Sequence, residues 1–225
     1  MRAMILAAGR GERMRPLTDH LPKPLLSVGG QPLIVHHLLK LKAAGITQIV
    51  INHAWLGDKL VAALGDGSAL GVSITWSAEG ETGLETAGGI RQALPLLGAA
   101  PFLVLNGDIW LECDYQAFVR PLPDDVDGHL WLVDNPPQHP HGDFSLQSER
   151  VVAQPQLTFS GVALYRPALF ADMAPGKAAL RPFFERWIAE RRLSGSHLVA
   201  DWRDIGTPAR LAELDAQLMG ASHAV

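Results

Sequence analysis

Along the first hundred residues, short unbroken apolar runs alternate with segments whose apolar positions recur every three or four residues. Met4 to Ala8, Gln48 to Asn52, Val72 to Trp76 and Pro101 to Leu105 are runs of the first kind. Continuous apolarity bounded by turn residues marks strands covered on both faces. Leu33, Ile34, Leu38 and Leu41 are of the second kind and predict a helix from Pro32 through Ala44. Proline suits its first turn, and Gly45 suits the left-handed residue that stops it. Further helices are predicted at Asp58 to Leu64 and at Thr86 to Leu94, the latter ending before Pro95. Strands and helices in alternation predict a parallel sheet with helices on its faces.

Beyond residue 121 the rhythm changes. Pro121, Pro123, Pro136, Pro137 and Pro140 punctuate shorter strands at Leu130 to Val133, Asp143 to Leu146 and Leu157 to Tyr165. This half is expected to be irregular and partly antiparallel. Helices return at Arg181 to Arg191 and at Pro208 to Leu218, where Thr207 and Pro208 suit the N-cap and first helical position.

The 225 residues suffice for one large domain with a sizeable core. A net charge of −4 removes nucleic acid as a bulk electrostatic partner. The single cysteine, Cys113, admits no internal disulfide, no membrane-length apolar run occurs, and the apolar start is too short for a secretion signal. A cytoplasmic protein with no membrane partner is expected. It would act as a monomer or small homo-oligomer.

Chemistry enters where the first strand ends. Leu6-Ala7-Ala8-Gly9-Arg10-Gly11-Glu12-Arg13-Met14-Arg15-Pro16-Leu17-Thr18 leads to Pro22-Lys23-Pro24-Leu25. Gly9 and Gly11 let backbone N–H groups approach an anion, while Arg13, Arg15 and Lys23 add positive charge. The loop is therefore expected to grip a nucleoside triphosphate. A dinucleotide fingerprint would need glycine where Met14 stands, and a phosphate loop of the Walker type would need Lys-Ser or Lys-Thr after its last glycine.

These residues resemble the signature of the sugar-1-phosphate nucleotidyltransferases, L-A-A-G-x-G-x-R-[ML]-x-P-L-T followed by P-K-P-[LM]. The resemblance implies an α/β fold: a Rossmann-like, doubly wound, mostly parallel mixed sheet with helices on both faces. It further implies a single domain, with residues 1–120 holding the nucleotide and 121–225 the sugar and the C-terminal helix. The partners it implies are small molecules, a nucleoside triphosphate and a sugar 1-phosphate. Within the family, Ile51 to Gly57 and Leu84 to Gly89 imply transfer of UMP from UTP to N-acetylmuramate α-1-phosphate in peptidoglycan recycling. Guanylyl transfer to mannose 1-phosphate and uridylyl or thymidylyl transfer to glucose 1-phosphate stand as alternatives. With no β-helical repeat following, the chain reads as a minimal catalytic core.

The same resemblance implies roles for individual residues. Lys23 would face the α-phosphate and the sugar phosphate, Arg13 would hold the triphosphate tail, and Ala7, Ala8, Gly9, Gly11 and Glu12 would line the nucleotide. Asp108, after a glycine at a strand end, and Asp204, in Asp204-Ile205-Gly206-Thr207-Pro208, would share a magnesium ion (Mg2+), whose oxygen preference suits carboxylates and phosphates. The polar 77–89 segment would meet base or ribose through Glu79, Glu85, Thr86 and Gly88. Many relatives carry glutamine early in this region; a carboxylate can accept from uracil or doubly from guanine, so base identity stays open. Asn106, Asp143, Ser160 and Gly161 would contact the sugar, and the polar 134–143 segment or Arg150 could supply donors for an acidic group on it. His139 and His141 lack a third metal ligand nearby and read as surface residues.

Overall fold

A computed structural model describes residues 1–222. Strand β1 (Arg2–Leu6) is followed by the loop of interest, a small ribbon of β2 (Ser27–Val28) and β3 (Gln31–Pro32), and helix α1 (Leu33–Ala43). Then come β4 (Gln48–His53), α2 (Gly57–Leu64), β5 (Ser73–Ala78), α3 (Glu85–Leu97), β6 (Phe102–Asn106) and β7 (Ile109–Glu112). The second half contributes β8 (Gly128–Val133), β9 (Phe144–Gln147), β10 (Arg150–Tyr165), α4 (Arg181–Ala189), β11 (Leu193–His197), β12 (Asp201–Asp204) and α5 (Pro208–Ser222).

One eight-stranded sheet runs β11-β8-β10-β6-β1-β4-β5, with β9 added alongside β10. The strands β5, β4, β1 and β6 are mutually parallel, whereas β10 lies antiparallel to β6, β8 and β9. The chain winds one way from β1 through β4 to β5 and then crosses back to β6. This puts a topological switch at the carboxyl ends of β1 and β6, where open α/β sheets bind ligands. Alternation along β1 serves two cores: Ala3 and Ile5 pack with α1 and α2 on one face, Met4 with α3 and α4 on the other.

The helix stop at Gly45 takes its expected form, with Gly45 N–H bonded to Lys42 O and Ile46 N–H to Leu41 O. Thr207 caps α5, its Oγ1 accepting from Arg210 N–H at 3.4 Å. Helix α3 departs from expectation by running through Pro95 to Leu97. Pro95 lies on the exposed side of the last turn, where water can solvate the carbonyl that loses its partner. Strand β10 is also longer than expected, sixteen residues instead of Leu157 to Tyr165, with register breaks between Val152 and Leu157 and between Phe159 and Val162. No helix of the described residues is long and apolar enough to cross a membrane.

Candidate active site

A cleft of about 460 Å³ opens at the switch point. Ala7, Ala8, Gly9, Gly11, Glu12, Arg13 and Lys23 line it from the β1 loop. Glu79, Thr82, Gly83, Glu85 and Thr86 line it from the segment after β5, and Asn106 and Asp108 from the end of β6. Residues far apart in sequence thus converge as the glycine loop and the strand ends predict.

The β1 loop is built as a rigid cradle. Gly11 is left-handed at φ 70°, and its carbonyl accepts from Thr18 Oγ1 at 2.8 Å and from Met14 N–H at 2.9 Å. Arg10 stacks on Trp55 at 3.8 Å and donates to Thr18 O at 3.1 Å, while Trp55 Nε1 donates to the same carbonyl. Among the described residues the N–H groups of Gly9, Arg10 and Gly11 donate to nothing. Arg13 is exposed on the cleft wall. Arg15 is not part of the wall: it turns away to Asp19 at 2.7 Å. The cation that steadies the loop is Arg10, and the sequence signal for it was the aromatic at Trp55, whose contact depends on a helix and strand intervening.

Lys23 sits between its two prolines at 6% exposure, with Nζ on Asp108 Oδ2 at 2.6 Å. Asp108 is carried beside Asp204 by the β7–β12 ribbon, in which Asp204 pairs with Ile109 and Ile205 N–H bonds to Asp108 O. Arg210 holds Asp204 Oδ2 at 2.7 Å. Each aspartate keeps its Oδ1 without a hydrogen bond among the described residues. Gly206 lines the cleft, and a Cβ there would come within 2.9 Å of Asp204 Oδ2. Two half-exposed carboxylates with free oxygens and no third acidic or imidazole ligand gathered among the described residues fit a hard divalent ion completed by phosphates and water.

Asn52, at the end of β4, is a hub that motif reading passed over. Its Oδ1 accepts from Ala7 N–H at 2.8 Å, and its Nδ2 donates to Glu79 Oε1 at 2.6 Å. Glu79 Oε2 accepts from Leu84 N–H at 2.7 Å. Both oxygens of Glu79 therefore tie the 79–84 turn to β4 and to the β1 loop. The available signal was an asparagine closing an apolar strand at the carboxyl edge, as Asn106 does in β6.

Several expected site residues stand elsewhere. Gly88 is not on the cleft: its N–H bonds to Ala178 O at 3.1 Å, and a Cβ would collide with Gly176 O, so this glycine lets the 176–180 strap close on α3. Ser160 is fully buried with its hydroxyl spent on Trp131 O at 2.6 Å, which leaves nothing for a sugar. Gly161, at φ 81°, acts through Asn106, since a Cβ there would come within 2.7 Å of Asn106 Nδ2. Asp143 lies in an adjoining hollow of about 450 Å³ that shares Glu85, Thr86 and Asn106 with the cleft. Arg150 is directed to the Asp125 carboxylate and to Arg191 O, outside either lining. Lys177, unforeseen, lines the cleft and pairs with Glu85 at 3.6 Å.

His37 supports the site from beneath. It is buried in α1, donating from Nε2 to Ile109 O at 2.9 Å and accepting at Nδ1 from Tyr115 OH at 2.7 Å. Burial lowers its pKa to about 4, so the ring is neutral and holds the start of β7 next to Asp108.

The family model for nucleotidyl transferases matches residues 2–145. A Neisseria meningitidis serogroup B protein named N-acetylmuramate alpha-1-phosphate uridylyltransferase is 54% identical, over 98% of this chain and 99% of its own. A Caulobacter vibrioides protein of the same name is 35% identical, over 97% of each. A crystal structure of a Bacillus anthracis protein in complex with a sucrose superposes with a TM-score of 0.85 at 24% identity, over 97% of this chain and 96% of that one, which bears on the fold alone.

Proposed function

Because the chain belongs to the nucleotidyl transferase family, we propose that it transfers UMP from UTP to N-acetylmuramate α-1-phosphate, giving UDP-N-acetylmuramate and pyrophosphate. The near-full-length likeness to the Neisseria protein carries this choice of substrates. The residues gathered at the switch point support the chemistry.

An oxygen of the sugar phosphate attacks the α-phosphorus of UTP. The bond from that phosphorus to the bridging oxygen breaks, and pyrophosphate leaves with the electron pair. The attacking phosphate is already an anion, so no side chain need remove a proton, and catalysis rests on alignment and charge. The open N–H groups of Gly9, Arg10 and Gly11 receive triphosphate oxygens, and Arg13 clamps the departing end with its fork of donors. Lys23, desolvated and fixed between prolines, faces the phosphate to which both substrates contribute. Asp108 and Asp204 would hold a magnesium ion, which when bound neutralises charge on the reacting phosphates. The turn pinned by Glu79 offers Thr82 and Gly83 to the base. Asn106, at the boundary of cleft and hollow, suits a hydroxyl or amide of the acceptor. The reaction would take place in the cytoplasm.

The test is a matrix of UTP, dTTP and GTP against N-acetylmuramate α-1-phosphate, N-acetylglucosamine 1-phosphate, glucose 1-phosphate and mannose 1-phosphate, read by pyrophosphate release. The highest kcat/KM is expected for UTP with the muramate. Preference for GTP with mannose 1-phosphate, or for a plain hexose phosphate, would overturn the substrate assignment.

A further inference from the structure

The hollow beyond Asn106 has an unusual lining for a site that binds only hydroxyl groups. Phe144, Phe159, Phe184 and Leu180 form its wall, and one guanidinium, that of Arg181, stands among them. We propose that Arg181 selects the acceptor by pairing with a carboxylate carried on a short alkyl ether of the sugar, whose methyl group rests on the phenylalanine wall. This rests on the reading of the acceptor as a muramate, whose lactyl ether has that composition.

Arg181 is aimed by its neighbours. Its Nη1 donates to Asp143 Oδ1 at 3.2 Å, and Asp143 Oδ2 is fixed by Phe159 N–H at 2.9 Å. The guanidinium lies over Phe144 at 5.7 Å. Its Nη1 and Nε face Asp143 and Glu185, Nη2 donates to nothing among the described residues, and the side chain is 61% exposed, so the N–H donors of Nη2 are open to an incoming carboxylate. The other titratable groups close by are His139, at 3.3 Å from Asp143, Glu185, at 3.6 Å from Arg181, and Glu85, which lines the hollow and pairs with Lys177 at 3.6 Å.

The hollow is held in place relative to the nucleotide cleft. Ala87 and Gly88 N–H groups bond to Ala178 O at 3.0 and 3.1 Å, and Ala178 N–H bonds to Leu84 O at 2.9 Å. The strap that carries Arg181 is thereby fastened to the helix start bearing Glu85 and Thr86, which line both spaces. Acceptor selection would be set by a prebuilt site, one whose donors are left unpaired by an acceptor lacking the carboxylate.

The experiment compares wild type, Arg181→Gln and Arg181→Lys with UTP on N-acetylmuramate α-1-phosphate and on N-acetylglucosamine 1-phosphate, the same sugar without the lactyl group. Arg181→Gln should lower kcat/KM for the muramate by roughly 10- to 100-fold, mostly through KM, and change the other acceptor by less than about twofold. Arg181→Lys, which keeps the charge without the fork, should recover part of the loss. Thermal midpoints of both variants check folding. Equal losses on both acceptors, or none on the muramate, would overturn the role of Arg181 and leave the proposed reaction standing. A wild type that favours N-acetylglucosamine 1-phosphate would overturn the substrate reading, and this inference with it.

Discussion

Replacing Glu79 by glutamine separates two roles for that side chain, reading the base and holding the turn. The change conserves shape but leaves one acceptor oxygen where two donors arrive, Asn52 Nδ2 at 2.6 Å and Leu84 N–H at 2.7 Å. Whichever way the new amide turns, its NH2 faces a donor. Asn52 cannot relieve the conflict by rotating its own amide, because Oδ1 already accepts from Ala7 N–H at 2.8 Å. One charge-assisted hydrogen bond is therefore lost in a buried setting, costing about 2 kcal/mol. For a chain of this size that corresponds to a fall of roughly 4–8 °C in thermal midpoint. A turn that must be reordered on binding would raise the KM for UTP by up to roughly 30-fold, with kcat little affected because the phosphate loop and Lys23 are unchanged. The ratio of UTP to GTP utilisation should stay as in wild type. Scanning fluorimetry and initial rates with both nucleotides suffice. A variant as stable as wild type, or one whose base preference moves tenfold or more, would refute the pinning argument and return Glu79 to base recognition.

Asp108→Asn and Asp204→Asn should each raise the magnesium concentration needed for half-maximal rate. Their double variant should lose less activity than the product of the single losses, because one coordination sphere is dismantled either way; independent effects would falsify a shared ion. Stability should depend on pH through His37 and His129, whose pKa values burial lowers to about 4. Unfolding exposes each ring to water, where it binds a proton near pH 6.5, so the native state loses stability as pH falls from about 6.5 toward 4 and regains it on return. Each histidine contributes on the order of 3 kcal/mol across that window. Urea unfolding at pH 7.5, 6, 5 and 4 should show the decline beginning above the carboxylate range, and a flat profile down to pH 5 would contradict it.

The half of the fold that follows local rules was legible. Four parallel strands declared themselves by apolar continuity, and α1 by its apolar spacing and Gly45, because each of those signals is contained within a dozen residues. The place of the β1 loop on the cleft was legible for the same reason. Local signals could not supply pairing across distance: the family resemblance implied that Asp108 and Asp204 meet, but not that β7 pairs with β12 to bring them together, nor that Ser160 turns its hydroxyl to Trp131 O. Arg150 illustrates the limit. It lies close in sequence to Asp143, yet β10 carries it to Asp125, whereas Arg181, some forty positions on, reaches Asp143 across the strap.

Asn52 and Asn106 make the same point chemically. Both stand at the carboxyl edge of a parallel strand beside β1, Asn106 as the last residue of β6 and Asn52 as the last but one of β4. Asn52 is enclosed at 2% exposure at the cleft wall, and its amide is engaged by Ala7 and Glu79, so it shapes the donor side. Asn106 borders the antiparallel half, where Gly161 leaves room above its amide, and it opens to both hollows. The neighbouring strand decides the difference, β4 and β5 continuing the parallel sheet on one side and β10 reversing direction on the other. A donor site built mostly from the parallel half, with Lys177 and Gly206 added from the second, depends on glycine turns and strand ends that any nucleoside triphosphate would use. The acceptor hollow draws on β9, β10 and α4, whose lining residues fall outside the motif-bearing segments. Differences in acceptor among enzymes sharing this core should therefore be written in the segment from Asp143 to Phe184, and exchanging those residues should move acceptor preference while leaving the KM for the nucleotide nearly constant.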